Sequence, residues 1–273
     1  MAKPPKTKSP PRTVALYDQH LGLVLDERYR ILAPLGDGVL TTVYSAEHVT
    51  LGTRYAVAFL KEEFADQKTV VEAFLNRAKS QPRLSGVHVL SALDFGVAPS
   101  GEPYVVKEYG EGETLGDFVK RHGTLTPRRA VALIRQLALV LQELGGEGHR
   151  NLKPHNIKVS SEGELLALMD FGHIALHSSA VPRLDPWELW LHKKPELNDV
   201  TALSLFAFFL ITGRLPERSE FTIPVGEYAP DEQEAFARLE RLYSIGRQVV
   251  SPGEATMESI VGLLGSDAIP KEP

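Results

Sequence analysis

HRNLKPHNI, residues 149–157, is followed shortly by LMDFG, residues 168–172, and the text differs on the two sides of this pair. Upstream, from Tyr29 to Tyr109, short runs rich in β-branched and aromatic residues alternate with turn signals. YRILAPLG, TTVYSAEH and YAVAFLKEE read as three strands, with Leu51-Gly52 marking a hairpin, and HVLSALDFG and PYVVKEY read as two more. Between them Val71, Phe74, Leu75 and Ala78 recur at helical spacing, and Pro82 is placed to end that helix. After Gly110 the signals turn helical. LGDFVKRHG is short and amphipathic, and TPRRAVALIRQLALVLQELG opens on a Thr cap with proline at the first position. DVTALSLFAFFLITG, PDEQEAFARLERLYSIGRQV and EATMESIVGLLG follow. A β-rich stretch succeeded by a helical one predicts an α+β, bilobal molecule with a small β-rich N-lobe, a larger helical C-lobe and a cleft between them. The expected limits are 25–109 and 110–265, with tails at 1–14 and 266–273. The opening MAKPPKTKSPPR has little to bury, so it reads as a disordered linker or docking peptide.

Bulk properties narrow the function. A chain of 273 residues can build one large core or two modest ones. With 43% hydrophobic and 24% charged residues it has the balance of a globular protein. A net charge of −5 gives no general electrostatic reason to bind nucleic acid or an anionic membrane. The absence of cysteine excludes disulfides, thiolate metal sites and a thiol nucleophile, and suits a cytoplasmic location. The longest apolar run, ALSLFAFFLIT at 202–212, is shorter than the ~20 residues of a membrane span and reads as a buried helix.

The motifs, taken in order, resemble eukaryotic-like (Hanks-type) serine/threonine protein kinases of bacterial type. HRNLKPHNI is similar to the catalytic loop and LMDFG to the D-F-G element. GDGVLTTV (36–43) stands where a glycine loop covers phosphates, and KEYGEGETL where a hinge joins the lobes. KPEL (194–197) is similar to the A-P-E element, while NDVTALS and TGRLP are similar to the start and end of the central buried helix. The resemblance runs from about residue 25 to 264 and implies the bilobal protein-kinase-like fold.

It also implies departures. The strand lysine of the family falls on Ala58, and its glutamate partner on Arg77. Lys61 lies on the opposite side of a regular strand from Ala58, although a bulge could rotate it inward. Glu72 is about 140° from Arg77 on the helical wheel. The catalytic aspartate falls on Asn151, whose amide can position a hydroxyl but not deprotonate it. Loss of such a base costs ~10²–10⁴ in rate. Val39 and Thr41 add side chains where phosphate would approach the backbone. From these positions the chain is expected to be a catalytically inactive pseudokinase, a scaffold or allosteric regulator with no catalytic residues. The alternatives are a nucleotide-binding switch without phosphotransfer, and a slow atypical phospho- or nucleotidyl transferase.

What persists is a vestigial site. Asn156 and Asp170 match the family's metal ligands, with Lys153 beside them; the bland reading is that they order loops. Gly36, Gly38, Val43, Ala56, Lys107, Glu108 and Lys153 match nucleotide-lining positions. Lys107 either enters the site, pairing with Asp170 in place of the lost lysine or plugging it, or snorkels to solvent. No cofactor is expected beyond weak ATP and Mg binding. The expected partners are other proteins, without nucleic acid and without a membrane span. In the helical part His149, Arg150, Asp199, Gly213 and Pro216 match the family, and Asp199 is expected to tie the central helix to the catalytic-loop backbone. Glu196 lacks its usual arginine near 254–255, with Arg247 as a substitute. Residues 173–194 offer Ser178 and Ser179 as hydroxyls, and Trp187 and Trp190 read as packing residues.

Overall fold

Runs of β-branched, aromatic and small apolar residues become strands in the first half of the chain in a computed structural model, which describes residues 19–79, 88–145, 148–172, 187, 198–217, 219–247 and 255–265. Two compact units are distinguished. The first holds the described residues up to Ala78 together with Ala92–Tyr109, and the second holds the remainder.

The first unit is a six-stranded antiparallel sheet. Its strands are β1 (Val24–Leu25), β2 (Tyr29–Asp37), β3 (Thr41–His48), β4 (Arg54–Leu60), β5 (Ala92–Val97) and β6 (Pro103–Glu108), in the order β1-β2-β3-β4-β6-β5. Because side chains alternate, β4 divides its residues between two faces. Val57 and Phe59 pack with Tyr44, Ala46, Tyr104, Val106, Leu25, Tyr29 and Ile31 in one apolar cluster. Ala56, Ala58 and Leu60 point the other way. The cluster is closed by a buried polar group. His20 stacks on Phe59 at 4.1 Å between ring centres, while its Nε2 lies 2.9 Å from Glu102 Oε2 and its Nδ1 3.2 Å from the Tyr44 hydroxyl. The strand expected to run into Glu63 stops at Leu60, and Lys61 opens the short helix α1 (Glu62–Ala65), which buries Phe64. Helix α2 (Lys68–Lys79) follows and buries Val70 and Phe74.

The second unit contains a small sheet of β7 (Glu113–Thr114), β8 (Ile157–Val159) and β9 (Leu165–Leu168), and the helices α3 (Leu115–His122), α4 (Pro127–Glu143), α5 (Asn198–Thr212), α6 (Pro230–Arg247) and α7 (Met257–Leu264). Thr114 caps α3 by accepting from Asp117 N. At α4 the expected Thr126 cap makes no side-chain bond. The Arg128 N–H is taken by the Glu232 carboxylate of α6 at 2.7 Å, so a neighbouring helix satisfies the exposed donor. The run at 202–210 is buried all round within α5, among α4, α6 and Trp187, whose ring lies tilted against Phe206 at 4.8 Å. Among the described residues no helix is long and apolar enough to cross a membrane. The tails at 1–14 and 266–273, Pro82, Ser178, Ser179, Trp190 and Glu196 lie outside the described residues.

Helices α5 and α6 approach closely where Gly246 meets Ser204. A β-carbon at 246 would overlap Ser204 Oγ and Cβ, and Ser204 is buried and bonded to the Thr201 carbonyl at 2.8 Å. Gly246→Ala is therefore expected to lower unfolding free energy by about 1–3 kcal/mol, despite alanine's better helix propensity, as measured by urea denaturation.

Candidate active site

Two sets of residues carry the candidate chemistry, one in each unit. In the second unit the set is built around the Asp199 carboxylate at the start of α5. Its Oδ2 accepts from His149 N at 2.6 Å and its Oδ1 from Arg150 N at 3.0 Å, the tie that the resemblance implies. Burial pushes the Asp199 carboxyl up, while the two backbone donors pull it down. Gly148 precedes this contact at φ +59°, and a β-carbon there would strike Asp199 Oδ2, so position 148 requires glycine on both counts.

The His149 ring is fully buried. Its Nε2 donates to the Met169 carbonyl at 3.1 Å, and its Nδ1 accepts from Asn151 N at 3.2 Å. Since a carbonyl only accepts and an amide N–H only donates, these partners assign the neutral ring with its proton on Nε2. The same ring lies 4.2 Å from the Phe171 ring, and Gly172 N donates to the His149 carbonyl at 2.8 Å. One histidine thus joins HRNLKPHNI to LMDFG.

Three further bonds bring the chemically interesting side chains together. Asn151 Nδ2 donates to the Asp170 carbonyl at 2.9 Å, Asn156 Nδ2 donates to the Asn151 carbonyl at 2.8 Å, and Met169 N donates to the Asn156 carbonyl at 3.0 Å. Asp170 and Arg150 are held at φ of 62° and 60°, a region costly for non-glycine residues. Lys153 starts the 3₁₀ turn Pro154–Asn156 that presents Asn156. With its amide nitrogen engaged, Asn156 keeps a hard oxygen donor, Oδ1, and Asp170 adds a carboxylate. Magnesium is commonly held by one or two such protein oxygens plus substrate phosphates, so this donor set fits it. Among the described residues no cluster of three or more His, Cys, Asp or Glu residues forms a metal site by itself.

In the first unit the glycine turn lies between β2 and β3. Gly36 pairs with Val43, and Gly38 N donates to the Thr41 carbonyl at 2.8 Å. A β-carbon at Gly36 would meet open space, so nothing in the sheet itself demands glycine there. Val39 is exposed at the turn. Val43, Ala58 and Val105 form one row across β3, β4 and β6, and the next row along holds Ala56 opposite Lys107. Glu108 ends β6 opposite Tyr55. Lys61 is on the other face. Asp37, Thr42 and Phe59 are successive cross-strand partners, and Lys61 Nζ lies 2.9 Å from Asp37 Oδ1, which also accepts from Thr42 Oγ1 at 3.1 Å. Arg77 is half-buried in α2, whereas Glu72 is exposed with Lys68 at 3.9 Å. Arg247 lies over the Phe221 ring at 4.9 Å. The sequence reading missed Asn151 as a donor to Asp170 and the Lys61–Asp37 pair. Both bonds join residues that no spacing rule links.

A β-rich unit and a helical unit carrying these motif residues are the two parts of a protein-kinase fold. The protein kinase domain model matches residues 29–185, more than half of the chain, and the chain belongs to that family. It is 28% identical over 218 residues to serine/threonine-protein kinase PrkC of Bacillus subtilis, covering 75% of this chain and 33% of the relative. It is 33% identical over 213 residues to serine/threonine-protein kinase pkn2 of Myxococcus xanthus, covering 71% of this chain and 25% of the relative. The crystal structure of the Mycobacterium tuberculosis PknI kinase domain superposes with a TM-score of 0.62 at 22% identity, covering 89% of this chain and 96% of that one. This likeness shows the kinase fold. The chain spans between about a quarter and two fifths of the length of the first relatives.

Family and relatives point to an enzyme, and they overturn the expectation of an inactive pseudokinase serving as scaffold or regulator, together with its alternatives. The expectation rested on the departures at Ala58, Arg77 and Asn151, of which Asn151 holds a structural bond to the Asp170 carbonyl. Phosphoryl transfer depends mostly on positioning and charge, and the substitution at 151 reads differently once its bond to Asp170 is seen. A carboxylate at 151 would face the Asp170 carbonyl oxygen. Asn151→Asp is thus expected to destabilise the protein by about 1–3 kcal/mol at neutral pH. The deficit should shrink as pH falls and the new acid, once protonated, donates to that carbonyl. Denaturant midpoints across pH check both parts.

Proposed function

We propose that this chain is the phosphotransfer domain of a serine/threonine protein kinase, acting on hydroxyl side chains of protein substrates. The observation that carries the reading is the bonded link between the two motif loops, Asn151 Nδ2 to the Asp170 carbonyl and Met169 N to the Asn156 carbonyl. It joins the loop of Asn156 to the loop of Asp170, the two residues whose sequence positions match the family's metal ligands, and so supports the reading.

ATP with Mg supplies the phosphoryl group and neutralises part of its charge. Asp170 and Asn156 would hold the metal. Gly36, Gly38, Val43, Ala56, Lys107 and Glu108 would line the nucleotide, and Lys153 would stand by the transferred group. Asn151 keeps its amide oxygen as an acceptor that can orient an incoming hydroxyl. In the reaction the hydroxyl oxygen bonds to the γ-phosphorus as the bond to the β–γ bridging oxygen breaks, and the hydroxyl proton passes to a phosphoryl oxygen or to water. A loose transition state needs little bond-making when the proton leaves, so orientation by an amide serves where basicity is missing. The relatives' names support the same substrate class.

Incubating the purified chain with γ-labelled ATP, Mg and a mixed Ser/Thr peptide library should label peptide or protein. Asp170→Ala should reduce the signal by at least about 10²-fold, as loss of a group that stabilises transition-state charge does. Absence of labelling by the wild-type chain across substrates and divalent metals would count against the reading.

A further inference from the structure

In kinase chemistry a cation from the sheet meets the nucleotide's phosphates, yet the row that should supply it here ends in the methyl group of Ala58. Two lysines lie near, and the strand register separates them.

Lys107 is the direct cross-strand partner of Ala56, in the row next to Val43–Ala58–Val105. Direct partners project from the same face of a sheet, so Lys107 shares a face with Ala56, Ala58, Val43 and Val105. The opposite face is filled by Tyr44, Val57, Phe59, Tyr104 and Val106, each at most 1% exposed, and has no room for an ammonium. Ala58 and Lys107 are diagonal neighbours, about 7–8 Å apart between Cα atoms. Ala56 and Ala58 present only methyl groups beside the flexible four-carbon stem, on a face where Ala58 and Val105 are each 1% exposed.

Lys61 differs on each point. Its face is that of Thr42 and Phe59, and its ammonium lies 2.9 Å from Asp37 Oδ1 at the glycine turn. Moving it to the Ala58 face would break that pair and pass the stem around the strand end.

We infer that Lys107 carries the positive charge that grips the phosphates of a nucleoside triphosphate, in place of an ammonium at position 58. The inference deepens the kinase reading above and rests on it. Lys107 is then a binding residue for the phosphates and contributes little to the nucleoside.

Calorimetric titration of the full chain with Mg-ATP and with adenosine tests it, using wild type, Lys107→Met, Lys107→Arg and Lys61→Met. Lys107→Met preserves the stem's bulk and should weaken ATP by about tenfold or more, the worth of one charge-assisted contact, with adenosine unchanged within about twofold. Lys107→Arg should recover most of the loss. Unchanged ATP affinity in Lys107→Met overturns the inference, as does a larger loss in Lys61→Met. An equal loss of ATP and adenosine also overturns it, because it reveals a packing role. Failure of wild type to bind either ligand would overturn the kinase reading itself and the inference with it.

Discussion

The Asp199 carboxylate, gripping the amides of His149 and Arg150, is the interaction on which the rest of the helical unit's site depends. It fixes the backbone at the one place where α5, the most deeply buried helix, meets the loop that carries the polar side chains. Hydrogen bonds to a charged acceptor contribute about 1.5–3 kcal/mol each and counter part of the cost of burying the carboxylate. From that anchor the order propagates outward. His149 is set between Asn151 and Met169, Phe171 lies against its ring, and Gly172 returns to its carbonyl. Removing a partner of the buried His149 ring would leave one of its nitrogens unmatched.

The sheet of the first unit shows a different economy. Its aromatic side is closed by His20 and Glu102, while the Val43–Ala58–Val105 side is built from small aliphatic residues. The Lys61–Asp37 pair belongs to the aromatic side and draws the glycine turn toward the end of β4. Reading the chain as inactive treated each departure from the kinase pattern as a vacancy. In the folded protein Asn151 is a donor with a buried acceptor, and the lysine at 107 projects from the same face as Ala58.

Periodicity made most of the architecture legible. TTVYSAEH and RYAVAFL are rich in β-branched, aromatic and apolar residues and form strands, and α4 opens on the proline that the sequence offers as its first residue. The two- to four-residue strands β1, β7 and β9 are too short to show a period, and Lys61 ended a strand that its neighbours seemed to continue. At α4 a Thr-Pro start correctly marked the boundary, but the group that satisfies the helix end, Glu232, lies on another helix and leaves no local trace. At the candidate site the motif residues were legible as types. The tautomer of His149 and the role of Asn151 were not, because both are set by partners across the fold.

One consequence follows from α5 for the life of the chain during synthesis. Residues 202–210 are apolar except for Ser204 and buried on every side, and α6, which covers one flank, ends only at Arg247. Until that later segment has left the ribosome, a run of phenylalanines and leucines stays without cover, the kind of surface that nascent-chain chaperones engage and that clumps when they are saturated. Yield in a host cell would then be governed less by the finished protein's stability than by the interval between emergence of α5 and arrival of the helix that shelters it.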